Sequence, residues 1–134
     1  MTKLTETMIW RLYLSVPGAP PSVNHYVKHT RHGGHYKTGA AESFKQEIAL
    51  AVKRQFVIAK KFRVDMEIVL AKGDKGDIDN FPKLVLDGLA DAGVFRTPKG
   101  KIVSDAHVCQ MGVTVDREWR PECGYTCIKV TAVK

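Results

Sequence analysis

The segment Phe62-Arg-Val-Asp-Met-Glu-Ile-Val-Leu70 is the clearest single indicator of the fold. Apolar residues occupy every second position from Phe62 to Leu70, and the charged residues Arg63, Asp65 and Glu67 stand between them. Successive side chains of a β-strand point to opposite faces, so this period of two predicts a half-buried strand. We therefore expect a sheet that packs one face on a core and leaves a polar face outside.

Two segments with helical periodicity flank this strand. The first helix is predicted over about residues 38–55 and the second over about 81–92. Asn80 is suited to cap the second helix, and Pro82 is tolerated in a first turn whose N–H groups have no helical partner. Gly93 is expected to end that helix, because glycine readily takes the left-handed conformation.

Three more strands are predicted, at Met8–Val16 and at about 108–115 and 125–133, the last two as a closing hairpin. The order β-α-β-α-β-β favours an α+β fold, in which a mixed or antiparallel sheet packs against two helices. The length of 134 residues fits a single domain, 1–134. Within it, the His-, Lys- and Gly-rich segment of about 24–37 is predicted to be a mobile basic loop.

Composition excludes several classes of protein. The chain is 44% hydrophobic and 26% charged, which is typical of a soluble globular domain. It contains no apolar run long enough to span a bilayer and none resembling a signal peptide at the start, so we expect a cytoplasmic protein without a membrane partner. The three cysteines are an odd number with the wrong spacing for a zinc knuckle, which favours reduced thiols.

The charge balance indicates a polyanionic partner. Lysine and arginine together number 21 against 14 acidic residues, for a net charge of +7. Nucleic acid is the commonest partner of a small basic domain. Charge alone does not separate an enzyme from a passive binder, so the placement of the acidic residues decides between them.

The most informative acidic pair is Asp77 and Asp79. They stand two residues apart in an extended segment, so both carboxylates point to the same side. Such carboxylates repel each other unless a cation lies between them, and oxygen ligands without His or Cys suit magnesium or manganese. A solvated, capped helix start is the alternative interpretation. A calcium loop is excluded, because Pro82 and Gly88 would occupy the positions of its glycine and its closing glutamate.

Two further residues extend this constellation. Lys83 stands four residues before Asp87, which suits either a surface ion pair or a cation held beside a scissile phosphate. Asp105 lies at the entry to a predicted strand, where a plain turn residue is the alternative. No general base is evident in the sequence, and His107 is a candidate only because it stands near Asp105.

Four segments together resemble the RusA family of Holliday-junction resolvases. In chain order they are Pro20-Pro-Ser-Val-Asn-His-Tyr26, Asp77-Ile-Asp-Asn-Phe-Pro-Lys83, Leu86-Asp-Gly-Leu-Ala-Asp-Ala-Gly-Val94 and Asp105-Ala-His-Val108. The resemblance spans roughly residues 10–133, and the joint pattern is specific although each segment is short. His25 stands where relatives often have arginine, and the turn at 96–101 is longer than in some relatives; both leave the substrate preference open.

The resemblance implies a homodimeric, metal-dependent endodeoxyribonuclease, of a kind often carried by prophages. Such enzymes bind four-way (Holliday) DNA junctions and nick two opposing strands symmetrically in recombination and repair. The catalytic, metal-binding carboxylates carry over onto Asp77, Asp79 and Asp105, and the essential lysine onto Lys83. The implied cofactor is Mg²⁺, with Mn²⁺ as a substitute, and the implied partners are branched DNA and a second copy of the chain.

Basic residues are predicted to hold the DNA. The loop offers Lys28, Arg31 and Lys37 as phosphate contacts, beside Asn24 and Tyr26 of the Pro-Pro-Ser-x-Asn-x-Tyr element. Tyr26 is suited to stack on an exposed base, with packing inside the protein as the alternative. A second basic patch is predicted from Lys53, Arg54, Lys60, Lys61 and Arg63.

Three functions follow from these patterns. The first is a junction-resolving nuclease, and the second is a non-catalytic protein that binds branched nucleic acid. A pure binder would gain nothing from three carboxylates near phosphate, which speaks against the second. The third is a less selective nuclease that acts on flaps or replication forks. Leu86 is a candidate either for the subunit interface or for the core.

Overall fold

The computed structural model describes residues 5–20, 27–29, 35–37, 39–73, 81–116, 118 and 121–133. The elements in chain order are β1 Thr7–Met8, β2 Arg11–Pro17, β3 Val27–His29, β4 His35–Lys37, α1 Gly39–Val52, β5 Gln55–Ile58, β6 Phe62–Val69, α2 Pro82–Asp91, β7 Phe95–Arg96, a 3₁₀ turn Asp105–His107, β8 Val108–Asp116 and β9 Tyr125–Ala132. Two helices and several strands in one α+β arrangement confirm the predicted fold class.

β6 lies inside a four-stranded mixed sheet whose order is β2-β9-β6-β8. β9 runs antiparallel to both β2 and β6, whereas β8 runs parallel to β6. The mixed sheet is confirmed, but the predicted hairpin of β8 with β9 is wrong, because β6 separates these two strands. The alternation of apolar and polar residues predicts which face of a strand is buried, but not which strands lie beside it. The connection between β8 and β9 is long enough to pass across β6.

One face of this sheet forms the core with the two helices. Phe62, Val64, Met66 and Ile68 of β6 are buried together with alternate residues of β2 and β9. The opposite positions Arg63, Asp65 and Glu67 are half-buried or exposed, so the predicted period of two is confirmed as far as Ile68, and it ends at Val69, which is buried as well. The core residues that α1 contributes include Phe44 and Ile48.

The helices pack closely on each other at Gly88. A Cβ atom at this position would lie 2.7 Å from Cδ1 of Ile48, so only glycine lets α2 approach α1 this closely without a shift. Beside this contact, Lys45 of α1 is 9% exposed and its Nζ lies 2.6 Å from Oδ2 of Asp91 at the end of α2. An apolar contact and an ion pair therefore fix the helices relative to each other.

A second, smaller sheet is parallel, with the order β1-β5-β7. It divides the strand predicted at Met8–Val16 into β1, which pairs with β5, and β2, which pairs with β9. Ile9 packs against the core, whereas Trp10 is 79% exposed. The chain thus changes sheets at these two residues, a step that local composition does not reveal.

Arg96 lies in β7, although the sequence placed it in a basic turn. Its guanidinium stacks on the ring of Phe56 at 4.0 Å, and its Nε donates to the carbonyl oxygen of Gly93 at 3.1 Å. Its Nη1 lies 2.8 Å from Oε2 of Glu6. The hydrogen bond and charge of Arg96 hold the pKa of Glu6 below its usual value. Gly93 has a φ of +75°, which confirms that it ends α2.

The described parts of segment 24–37 form a two-stranded antiparallel ladder of β3 and β4. Its register pairs Val27 with Lys37, Lys28 with Tyr36 and His29 with His35. The mobility of this segment and the domain limits 1–134 stay predictions. Among the described residues, no helix combines the length and the apolar character that crossing a membrane requires.

Candidate active site

Asp105 begins the 3₁₀ turn that leads into β8. Ser104 caps this turn, since its Oγ accepts a hydrogen bond from the backbone N–H of Ala106 at 3.2 Å. The Asp105 carboxylate is therefore not used as the cap. Asp105 is half-buried, and within the described part of the chain its carboxylate has no ion pair or side-chain hydrogen bond. Its oxygens are available to a ligand.

Helix α2 packs against this turn and carries the predicted lysine. Lys83 and Asp87 lie one helical turn apart, with Nζ 3.7 Å from Oδ2. Their side chains are 61% and 24% exposed, so the ammonium group is the more accessible member of the pair. The structure thus packs the helix that carries Lys83 and Asp87 against the turn that carries Asp105.

The start of α2 follows directly on the segment that carries the acidic pair. The helix begins at Pro82, and the preceding Phe81 is 1% exposed. Asp77 and Asp79 lie outside the described residues, and so does Asn80, the predicted cap. Phe81 occupies the N-cap position and makes no side-chain capping bond. Burial of Phe81 in the core is what anchors this end of α2.

The residues predicted to bind DNA fall mostly outside the described part. Asn24, Tyr26 and Arg31 are not described. Lys28 and Lys37 are described only by their backbone positions in β3 and β4, on opposite strands of the ladder. Their predicted roles therefore stay predictions.

No group of three or more His, Cys, Asp or Glu residues suited to a metal ion occurs among the described residues. Two of the three predicted ligands, Asp77 and Asp79, lie outside the described residues. Asp105 is the predicted ligand that the structure describes. Its carboxylate oxygens suit a hard divalent cation, and no described side chain binds them.

All three cysteines are free thiols, as predicted.

His107 turns toward a neighbour that the sequence did not indicate. Its Nδ1 lies 3.4 Å from the carbonyl oxygen of Lys60, in the connection between β5 and β6. The turn that carries Asp105 is therefore a direct neighbour of the Lys60-Lys61 segment. Local sequence contains no signal for this proximity, because 47 positions separate the two residues.

Comparison with known proteins decides the family. The family model described as endodeoxyribonuclease RusA matches residues 17–123, which is well over half of the chain. The chain belongs to the RusA family. RusA-family proteins are metal-dependent endodeoxyribonucleases that resolve Holliday junctions, so a branched DNA is the substrate that the family implies. A search of curated protein sequences finds no match.

The matched residues, 17–123, contain all four segments that resemble the RusA family. It includes Asp77, Asp79, Lys83 and Asp105, and it ends before β9. The interval thus covers α2 and the 3₁₀ turn, the elements that carry the described residues of the candidate active site in this RusA-family chain.

Proposed function

We propose that this RusA-family nuclease uses Mg²⁺, held by Asp77, Asp79 and Asp105, to hydrolyse phosphodiester bonds at four-way DNA junctions. The observation that carries the proposal is the unengaged Asp105 carboxylate on a turn packed against α2, the helix that carries Lys83. Three carboxylates that converge near phosphate need a cation to offset their mutual repulsion. Mn²⁺ has the same ligand preference and should substitute.

The proposed carboxylates and Lys83 would meet two needs of phosphodiester hydrolysis, an activated water and neutralisation of charge on the phosphate. A bound divalent cation supplies an activated water and neutralises charge on the phosphate. Lys83 is an exposed residue of α2, so its ammonium can pair with a non-bridging oxygen of the scissile phosphate. Asp87, 3.7 Å from Lys83, limits the positions that the ammonium explores.

Binding of the junction is assigned to the basic segment of β3 and β4. Lys28, Arg31 and Lys37 are proposed to contact phosphates, with Asn24 and Tyr26 placed next to them along the chain. Such contacts are independent of sequence and fall steeply with salt. Junction shape is then recognised by where the phosphates lie and not by base edges.

Paired nicking requires two active sites. One set of carboxylates cuts one strand, so symmetric cleavage of two opposing strands calls for two copies related by a two-fold axis. We therefore propose a homodimer. A cytoplasmic location is proposed as well, since the proposed substrate is a branched DNA.

The test is cleavage of a synthetic four-way junction with and without Mg²⁺. Asp79→Asn and Asp105→Asn should each lower the cleavage rate at least about a hundredfold, because electrostatic stabilisation by such groups is worth roughly that much. Both variants should still bind the junction, since removing negative charge does not weaken attraction to phosphate.

Glu122→Gln is the matched control. It also converts one carboxylate to an amide, at a side chain that is 83% exposed and paired with Lys72. It should cleave as fast as the wild type. If Asp79→Asn gives wild-type products at the wild-type rate, the assignment of the catalytic carboxylates is wrong.

A further inference from the structure

Two lysine-bearing turns leave the small sheet at the same end. β5 and β7 are parallel, with Ile58 opposite Arg96, and the N–H of Ala59 donates to the carbonyl oxygen of Arg96 at 2.9 Å. The turn after β5 contains Lys60 and Lys61, and the turn after β7 spans residues 97–101. The fold therefore places these two turns side by side.

The turn that carries Asp105 adjoins them. Nδ1 of His107 lies 3.4 Å from the carbonyl oxygen of Lys60, and the N–H of Val103 donates to the carbonyl oxygen of Phe95 at 2.9 Å. The chain thus returns from the 97–101 turn along β7 and reaches the turn Asp105–His107, in which His107 is the residue beside Lys60. One end of the molecule combines the candidate catalytic carboxylate with both turns.

Four lysines on these turns form what we call the lysine rim: Lys60, Lys61, Lys99 and Lys101. All four are exposed, and none forms an ion pair with a described residue. By contrast, Arg63, which the sequence grouped with Lys60 and Lys61, lies 2.8 Å from Asp65 through its Nη2. The structure thus divides the predicted second basic patch.

The rim has no local acidic partner. In segments 59–61 and 97–107, Asp105 is the only carboxylate. Four cations on these two turns raise the positive potential beside the proposed carboxylate site, which attracts a polyanion to that place. Lysine on a flexible stem acts as a point charge toward phosphate, without base specificity.

We propose that the lysine rim binds the phosphates of the DNA arm that flanks the scissile bond. The inference rests on the proposed function and deepens it, because the folded body of the protein then holds the DNA next to the active site. The longer turn at 96–101 contributes two of the four rim lysines, so it extends the footprint on the arm.

The chain offers a matched control in Lys72. It is 68% exposed and lies beyond the C-terminal end of β6, whereas Lys60 and Lys61 precede its N-terminal end. Eight strand residues separate the two ends, which amounts to roughly 26 Å at about 3.3 Å per residue. Lys72→Gln removes the same charge from a distant place.

The experiment measures binding of a fluorescent four-way junction without divalent metal, over a series of salt concentrations. Lys60→Gln/Lys61→Gln and the variant with all four rim lysines changed to Gln are compared with Lys72→Gln. Removal of each lysine that binds a phosphate should weaken binding roughly eightfold near 0.1 M salt and lower the slope of log K against log salt by about 0.9. Lys72→Gln should keep the wild-type affinity and slope.

The outcomes separate the inference from the proposed function. If the four-lysine variant binds with wild-type affinity and slope while the wild type cleaves, the rim inference is overturned alone. An equal loss of affinity in Lys72→Gln also overturns it, because the effect is then one of overall charge. A wild type that neither binds nor cleaves junctions overturns both. Thermal unfolding midpoints check the fold, and the single variants Lys60→Gln and Lys99→Gln stand in if the four-lysine variant is unfolded.

Discussion

At the scale of single residues, Arg96 joins three parts of the fold through one guanidinium. It stacks on Phe56 of β5, donates to the carbonyl oxygen of Gly93 after α2, and pairs with Glu6 before β1. A planar group with donors in a fixed fork can satisfy all three at once, which a lysine cannot. The basic character of this residue thus serves the fold and not the DNA.

Replacement of Arg96 should therefore destabilise the protein. We expect Arg96→Ala to lower the free energy of unfolding by about 2 kcal/mol, and Arg96→Lys by about 1 kcal/mol, because lysine keeps the charge but loses the stacked fork. Chemical denaturation measures both values. Equal stability of wild type and Arg96→Ala would show that the guanidinium contacts contribute nothing.

Glu6→Gln isolates the ion pair from the stacking. Because Arg96 lowers the pKa of Glu6 in the folded protein, the stabilisation is fully present above the ordinary pKa of glutamate and is lost as pH falls through the lowered value. The difference in thermal midpoint between wild type and Glu6→Gln should thus be present at pH 7 and vanish in acid.

At the scale of elements, the contact of α1 with α2 depends on a lysine that is almost fully buried. Lys45 has Asp91 at 2.6 Å and Glu42 only at 3.9 Å, so Asp91 is its main partner. Helical periodicity located both helices, but a pattern of apolar residues does not predict the burial of a lysine. A charged residue is buried there because the second helix brings a carboxylate to it.

Asp91→Asn should consequently cost more than its exposure suggests. Removal of the main partner of a buried ammonium is expected to lower the free energy of unfolding by about 1–2 kcal/mol. Glu122→Gln breaks a pair in which both side chains are exposed, and should cost no more than about 0.5 kcal/mol. Similar decreases in urea denaturation of the two variants would contradict the assigned role of Lys45.

The start of β9 depends on a close backbone approach. A Cβ on Gly124 would collide with the carbonyl oxygen of Val69 and lie 3.0 Å from the backbone nitrogen of Ala71. Backbone atoms cannot relieve a close contact by changing rotamer, as a side chain can. Gly124→Ala is therefore expected to lower the free energy of unfolding by about 3 kcal/mol. Gly100→Ala provides a contrast, since no atom lies within 4 Å of its Cβ position and only its φ of +85° opposes alanine. A larger decrease for Gly100→Ala would contradict the packing argument.

At the scale of the whole molecule, the fold collects charge of opposite sign at one end. Lys60 of the lysine rim lies beside the turn that carries Asp105, and α2, the helix that carries Lys83, packs against the same turn. Residues as far apart in the chain as Lys60 and His107 thus lie side by side, which no local pattern predicts. The net charge of +7 indicated a polyanion, and the arrangement now indicates where phosphate should bind.

The proposed dimer predicts the products from a cruciform plasmid. Paired cuts linearise the plasmid, whereas a single cut gives a nicked circle. Mixing wild type with excess Asp79→Asn should shift the products from linear to nicked, because mixed dimers hold one working site. Light scattering should find two copies per particle. A strictly monomeric protein that still gives linear product would contradict paired cutting by one dimer.

The sequence alone determined the α+β class, the two helices and the alternation of β6, because these depend on spacings of two to four residues. The catalytic candidates came from the resemblance of four segments to the RusA family. Tertiary structure alone decided that β6 separates β8 from β9, that Arg96 is a structural residue, and that Lys60 lies beside the Asp105 turn. Each of these depends on contacts between residues far apart in the chain, such as His107 with Lys60. Which distant residues come into contact depends on how the whole core packs, and local sequence patterns do not predict it.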